Sequence, residues 1–149
     1  MNKPIEIILR TLHVGSCRRV AALELEGKCP AKDFIEELAQ SNAPGHNSFI
    51  ARVDTIAERD KYRNPRTFKH LGDGLFEFKF NKTSMRLYAF YDDIEGLEPQ
   101  LIIATNGGKK NAKKEQGRDI ERAKTLKAKY FAAKEIESTQ LIIKELDEE

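Results

Sequence analysis

The sequence predicts an α+β fold, in which two helices come early, an antiparallel sheet follows and a further helix closes the order. Three observations predict it. Apolar residues recur at helical spacing between residues 30 and 60. From residue 75 the period drops to two and then gives way to an apolar run ending near residue 105. A second helical stripe begins near residue 117.

Each element has its own signal. Ile5 to Leu12 is apolar enough for a strand, although its alternation is poor. Arg19 to Leu25 reads as another strand, separated from the first by Gly15-Ser16. Pro30 stands where a first helical residue would, and Phe34, Ile35, Leu38 and Ala39 form a face over residues 30–40. Ser41-Asn42-Ala43-Pro44-Gly45 breaks that helix. Asn47 is a candidate cap for a second, whose face is Phe49, Ile50, Val53, Ile56 and Ala57 and whose end falls near Asp60. The pair reads as a helical hairpin.

In Leu75 to Phe80, Phe76, Phe78 and Phe80 share one face, and Glu77 and Lys79 the other. Residues 81–84 form a turn, and Met85 to Tyr91 returns with Arg86 and Tyr88 on a common face. A polar loop from Asp92 to Gln100 leads to Leu101-Ile102-Ile103-Ala104-Thr105, an apolar run suited to a central strand. Asn106-Gly107-Gly108 interrupts the pattern. Ile120, Ala123, Leu126, Tyr130 and Ala133 make the stripe of a helix over 117–134. Gln140 to Leu146 reads as a strand in preference to a helical continuation, because Ile142-Ile143 follows the β-branched Thr139.

The chain has 149 residues, which suits one domain with extensions. Forty per cent hydrophobic residues suffice for a core, and 34% charged residues suit a solvent-facing surface. No window approaches the roughly 18 apolar residues of a membrane-spanning helix, and the start lacks the pattern of a secretory signal. Cys17 and Cys29 make neither a disulfide framework nor a zinc pattern. A cytoplasmic location is expected, with no membrane partner.

Net charge is +2, unevenly spread. Residues 1–51 hold 6 basic and 6 acidic residues, 52–134 hold 19 and 12, and 135–149 hold 1 and 6. Residues 105–134 alone hold 10 basic and 3 acidic. Such a local basic excess suits phosphate, or else a solvated helix face. Phosphate-loop glycines, HExxH and a Gly-x-Ser-x-Gly elbow are all missing from the sequence. His13, His46 and His70 show no ligand spacing, so no metal and no cofactor is expected.

The informative stretch runs from Phe68 to Tyr130. Phe68-Lys69-His70-Leu71-Gly72-Asp73-Gly74-Leu75-Phe76-Glu77-Phe78-Lys79 resembles the start of the hairpin in RelE/HigB-type toxins, in particular their phage-derived branch. Met85-Arg86-Leu87-Tyr88 looks like the family's arginine-bearing second strand, Thr105 to Lys110 like its strand-end basic pair, and Asp119 to Ala123 like its closing helix. The resemblance covers a little under half of the chain. It implies a RelE-like α+β fold, with two N-terminal helices packed on a twisted antiparallel sheet and a C-terminal helix. Residues 1–134 then form that domain with an N-terminal extension, and 135–149 an acidic C-terminal extension.

The resemblance also implies a messenger RNA endoribonuclease, commonly on the ribosome, restrained by a cognate helix-turn-helix antitoxin. A ribose 2′-hydroxyl attacks the neighbouring phosphate without a metal, leaving a 2′,3′-cyclic phosphate and a 5′-hydroxyl. Fixed cations should face the growing charge on phosphate, and arginine can pair two of its oxygens. Arg86 matches the family's phosphate-stabilising arginine, and Lys79 and Lys110 match basic catalytic positions. Lys109, Lys113, Lys114, His70 and Tyr88 are candidate RNA contacts, Tyr88 by stacking on a base. Glu77 falls where some members have a lysine and phage-derived ones often a glutamate; Gln116 falls near a tyrosine of one member.

Competing readings stay open. Arg86 pairs with Glu77 across the hairpin; Lys79 is a solvated strand residue; Tyr130 packs a helix. The lysines contact phosphate without catalysis, as in a non-catalytic nucleic-acid-binding or protein-interaction module on the same scaffold. Met1 to Gly15 is an added edge strand or a loose arm. Glu145, Asp147, Glu148 and Glu149 are expected to fold back towards the lysine cluster.

Overall fold

A computed structural model describes residues 5–59, 68–80, 84–94, 96–109 and 113–148. In chain order the elements are β1 (Glu6–Val14), β2 (Arg18–Leu25), α1 (Pro30–Ser41), α2 (Ala43–Glu58), β3 (Phe68–Gly72), β4 (Leu75–Lys79), β5 (Met85–Ile94), β6 (Leu97–Lys109), α3 (Lys113–Lys134) and β7 (Gln140–Glu145). The seven strands form one sheet in the order β3-β4-β5-β6-β2-β1-β7. The β3-to-β6 run is an antiparallel meander, but β2 pairs parallel to β6 and β1 parallel to β7.

This corrects the expected fold class. The fold is α+β, but the helices are interspersed with strands. The strands read before α1 and after α3 are present, but they join the same sheet, which is mixed and seven-stranded among the described residues rather than antiparallel throughout. The physical reason lies in β1 and β2, which are buried on both faces. Ile7, Leu9, Ala21 and Leu23 pack on the α3 side with Tyr130. Val20 and Ala22 pack on the α1–α2 side with Ile35, Phe49 and Ile56. A strand covered on both faces loses its polar alternation, so β1 reads poorly.

Helices therefore cover both faces of the sheet. Pro30 opens α1, whose Ala31, Ile35 and Leu38 are buried. Asn42, not Asn47, caps α2: its side chain accepts from the Gly45 N–H at 3.0 Å, and Pro44 sits in the first turn, where no N–H is needed. Phe49, Val53, Ile56 and Ala57 face the core as expected, while Ile50 is exposed. On β4, Phe78 and Phe80 are buried and Phe76 packs at the margin of the same cluster.

The loop expected over Asp92–Gln100 is shorter. β5 runs to Ile94 and β6 starts at Leu97, with Ile94 opposite Leu97 and Gly96 at φ +80° making the reversal. The turn expected over 81–84 lies largely outside the described residues.

Asn106-Gly107-Gly108 does not end β6, which continues to Lys109. These two glycines let helices approach from opposite faces. A Cβ on Gly107 would lie 2.4 Å from the Phe34 ring of α1, and one on Gly108 would lie 2.1 Å from an Asp119 carboxylate oxygen of α3. Gly107→Ala is therefore expected to cost about 1–3 kcal/mol by overpacking, read as a lowered urea midpoint with an unchanged slope.

Over its described residues, 5–15, the segment expected as an added edge strand or a loose arm is neither: β1 lies between β2 and β7. The acidic segment after residue 134 enters the same sheet as β7. The fold-back towards the lysine cluster is overturned. β7 runs with β1 and against β6, so it leads away from Lys109, and its last residue, Glu145, is level with Thr11, Ala21 and Ile103, three strands across from β6. There the buried Arg10 donates to the backbone carbonyls of Glu145, Leu146 and Glu148 and pairs with Glu24 at 2.7 Å.

Candidate functional site

The candidate site lies where β4, β5 and β6 run under the first turns of α3. Strand register builds it. Lys79 is opposite Arg86, and Glu77 is opposite Tyr88. Arg86 is in turn opposite Gly108, and Met85 opposite Lys109. Residues directly opposite share a face, so Lys79, Glu77, Arg86 and Tyr88 all point to the α3 side.

A small polar cluster fills the space beneath the helix. Glu77 is only 1% exposed. Its carboxylate lies 3.9 Å from Arg86 Nε and accepts from Gln116 Nε2 of α3 at 3.4 Å. Arg86 donates from Nη1 to its neighbour's Met85 carbonyl at 2.8 Å. A bulge on β6 sets both Thr105 and Asn106 against Tyr88. Thr105 Oγ1 donates to the Tyr88 carbonyl at 3.2 Å, and Asn106 Nδ2 to the Asp119 carbonyl at 3.1 Å. Apolar contacts among Leu75, Tyr88 and Ala123, with Leu71 and Ile120 at the margin, close the cluster.

Burial shifts two groups here. It pushes the Tyr88 hydroxyl up to about 12, helped by the Glu77 charge. It also raises the Asp119 carboxyl above the usual carboxylate range, against the pull of Arg122. Tyr88 is thus a neutral phenol packed under α3. Its ring is buried, so it is not a platform on which a base could stack.

The remaining expected residues divide. Lys79 and Arg86 are adjacent, as anticipated, and the pairing of Arg86 with Glu77 is present as well. Lys109 is exposed at the strand end, and Lys114 is exposed in the first turn of α3. Lys113 begins α3. Lys110 lies outside the described residues. His70 is not part of the group. Its ring sits 4.7 Å from Phe76, which packs on the α1–α2 side, so His70 belongs to the other face of the sheet. Tyr130 is fully buried against Phe90 and Phe131 and donates to Asp92, which fits the packing reading.

Asn106 and Asp119 carried no role of their own in the sequence. Asn106 looked like a loop residue because two glycines follow it, yet it is buried in a strand. The available signal was the glycine pair itself: glycines within a strand mark close backbone approach.

Cys29 is buried, and burial pushes its thiol up, away from nucleophilic use. No helix of the described residues is long and apolar enough to cross a membrane. Comparisons with protein-family models, curated proteins and solved structures gave no match.

Proposed function

We propose that the chain is a toxin-type endoribonuclease acting on messenger RNA in the cytoplasm, on the ribosome, and held in check by a helix-turn-helix antitoxin. One observation carries this reading: Lys79 and Arg86 stand abreast on neighbouring strands, on the α3 side and at the end of the sheet where the exposed Lys114 opens α3, while the exposed Lys109 closes β6 at that end from the α1–α2 side. These basic side chains gather at one end of the sheet. They suit a phosphate and the charge that grows on it during 2′-hydroxyl attack. The ordered resemblance of residues 68–130 to RelE/HigB-type toxins supplies the reaction. Arg86 serves as the phosphate-binding cation, Lys79 as its neighbour, and Lys110 as a further basic group. Lys109, Lys113 and Lys114 hold the RNA backbone.

The test is induced expression of wild type beside Lys79→Ala and Arg86→Lys, with messenger RNA ends mapped in the presence of ribosomes. Wild type is expected to arrest growth and to leave new 5′-hydroxyl ends, and both variants to lose cleavage at least roughly tenfold while keeping wild-type circular dichroism. Arg86→Lys is preferable to Arg86→Ala, because alanine would strand the buried Glu77 carboxylate. Absence of cleavage by wild type sinks the reading. Co-purification with a small helix-turn-helix protein from the adjacent gene supports the antitoxin partner.

The Glu77 carboxylate beside Arg86 favours a second reading, a non-catalytic nucleic-acid-binding module whose arginine is already paired. In that case RNA binding falls steeply with added salt and no new ends appear.

A further inference from the structure

At the far end of the sheet from Lys109, β1 and the last turns of α2 bring three ligand-type side chains together. His13 Nε2 lies 3.1 Å from Asp54 Oδ1 and 3.6 Å from Glu58 Oε1. One donor atom from each of the three lies within 4.8 Å of the others. Asp54 and Glu58 are four apart on α2 and so share a face, and His13 reaches them from β1.

Three features separate this cluster from a casual ion pair. First, His13 Nε2 is shut off from solvent and makes no well-aligned hydrogen bond, although an oxygen is 3.1 Å away. A charged or neutral imidazole pairing with a carboxylate would aim its N–H at the oxygen. Ligands that share an ion aim lone pairs at a common point instead. Second, ligands about 2.1 Å from a tetrahedral ion stand about 3.4 Å from one another, and the two His13 distances bracket that spacing. Third, Glu58 is already oriented. Ser16 donates to its Oε2 from the side-chain Oγ at 2.9 Å and from the backbone N–H at 3.3 Å. These hydrogen bonds fix the orientation of the Glu58 carboxylate and leave Oε1 facing His13.

We propose that His13, Asp54 and Glu58 form a binding site for a divalent transition-metal ion of the zinc class. One imidazole and two carboxylates suit zinc better than calcium or magnesium, which favour all-oxygen sites. Three protein ligands leave one position for water or for an outside ligand. The ion would staple the end of β1 to the last turn of α2. The site shares no residue with the Lys79–Arg86 surface, and its fate is independent of the ribonuclease reading.

The test is a calorimetric titration of the full chain with Zn²⁺ alone, after stripping with a chelator. The variants are His13→Ala, the double substitution Asp54→Asn with Glu58→Gln, Ser16→Ala and Cys17→Ser. Cys17 is included because its thiol donates to the Glu58 carbonyl at 3.3 Å and is a nearby competing zinc ligand. One saturable site is expected in wild type and in Cys17→Ser. His13→Ala and the double variant should lose it with an unchanged circular dichroism spectrum, and Ser16→Ala should weaken it roughly tenfold. The ¹⁵N resonance of His13 Nε2 should move on zinc addition in wild type. No zinc binding by wild type, undiminished binding by His13→Ala, or loss of binding in Cys17→Ser would each overturn the proposal.

Discussion

Glu77→Ala is expected to destabilise the protein by about 3–5 kcal/mol, the usual cost of leaving one partner of a buried ion pair uncompensated. Glu77 is 1% exposed and the Arg86 side chain 13%, so neither charge has free access to water. Removing Glu77 leaves the largely buried Arg86 guanidinium without its ion-pair partner. The loss should not be additive. Replacing both members by hydrophobic residues of similar volume, Glu77→Met with Arg86→Met, should recover most of the stability, because the desolvation cost disappears with the charges. Urea denaturation of the two single variants and the double variant measures the coupling. Equal, additive losses would mean that each side chain acts through packing alone. The same cycle bears on function: a double variant that folds but does not cleave RNA separates the structural duty of Arg86 from any catalytic one.

Stability should fall steeply above about pH 10. The Tyr88 hydroxyl titrates near 10 in the unfolded chain and is pushed up to about 12 by burial in the folded one. Burial and then Asp92 raise Tyr130 as well. Between the two values the unfolded state has released the proton while the folded state retains it. Stability is therefore fully present below the unfolded value and is lost as pH rises through the window. For Tyr88 the loss approaches about 2–3 kcal/mol at the top of the window. Tyr130 adds its own share. Denaturation curves at about pH 9 and about pH 11.5 measure the difference. Tyr88→Phe and Tyr130→Phe should each flatten the decline. A slope unaffected by both substitutions would place the alkaline sensitivity elsewhere.

What the sequence revealed and what it concealed follow from how each element is buried. The β4 phenylalanines alternate with Glu77 and Lys79, and α1 and α3 carry clear stripes, so these elements were legible. β1 and β2 were legible as strands, but their apolar runs lack the alternation that would have shown which residues face which layer, because both faces are covered. The parallel pairing of β2 with β6 and of β1 with β7 left no local trace, since it joins segments far apart in the chain. At the site, the strand partners Lys79 and Arg86 were legible from a hairpin of known register. Tyr88 looked like a base-stacking residue because nothing in the sequence shows that α3 lies across it. His70 fell within the right stretch of chain but on the wrong face, since on neighbouring antiparallel strands only register decides the side. The His13 cluster was invisible from the histidines alone, although Asp54 and Glu58 already stood four apart on a helical segment.

The pairing of β7 with β1 sets the order in which the sheet can be finished. β1 is synthesised well before β7, so the edge of β1 that β7 covers stays open throughout the intervening elongation. Its row of unpaired N–H and C=O groups, beside the apolar Ile7 and Leu9, is then a site for adhesion to other nascent chains. Arg10 lies on that same strand and grips the carbonyls after β7 once they arrive. This edge thus closes like a clasp, with the later-made β7 sealing β1.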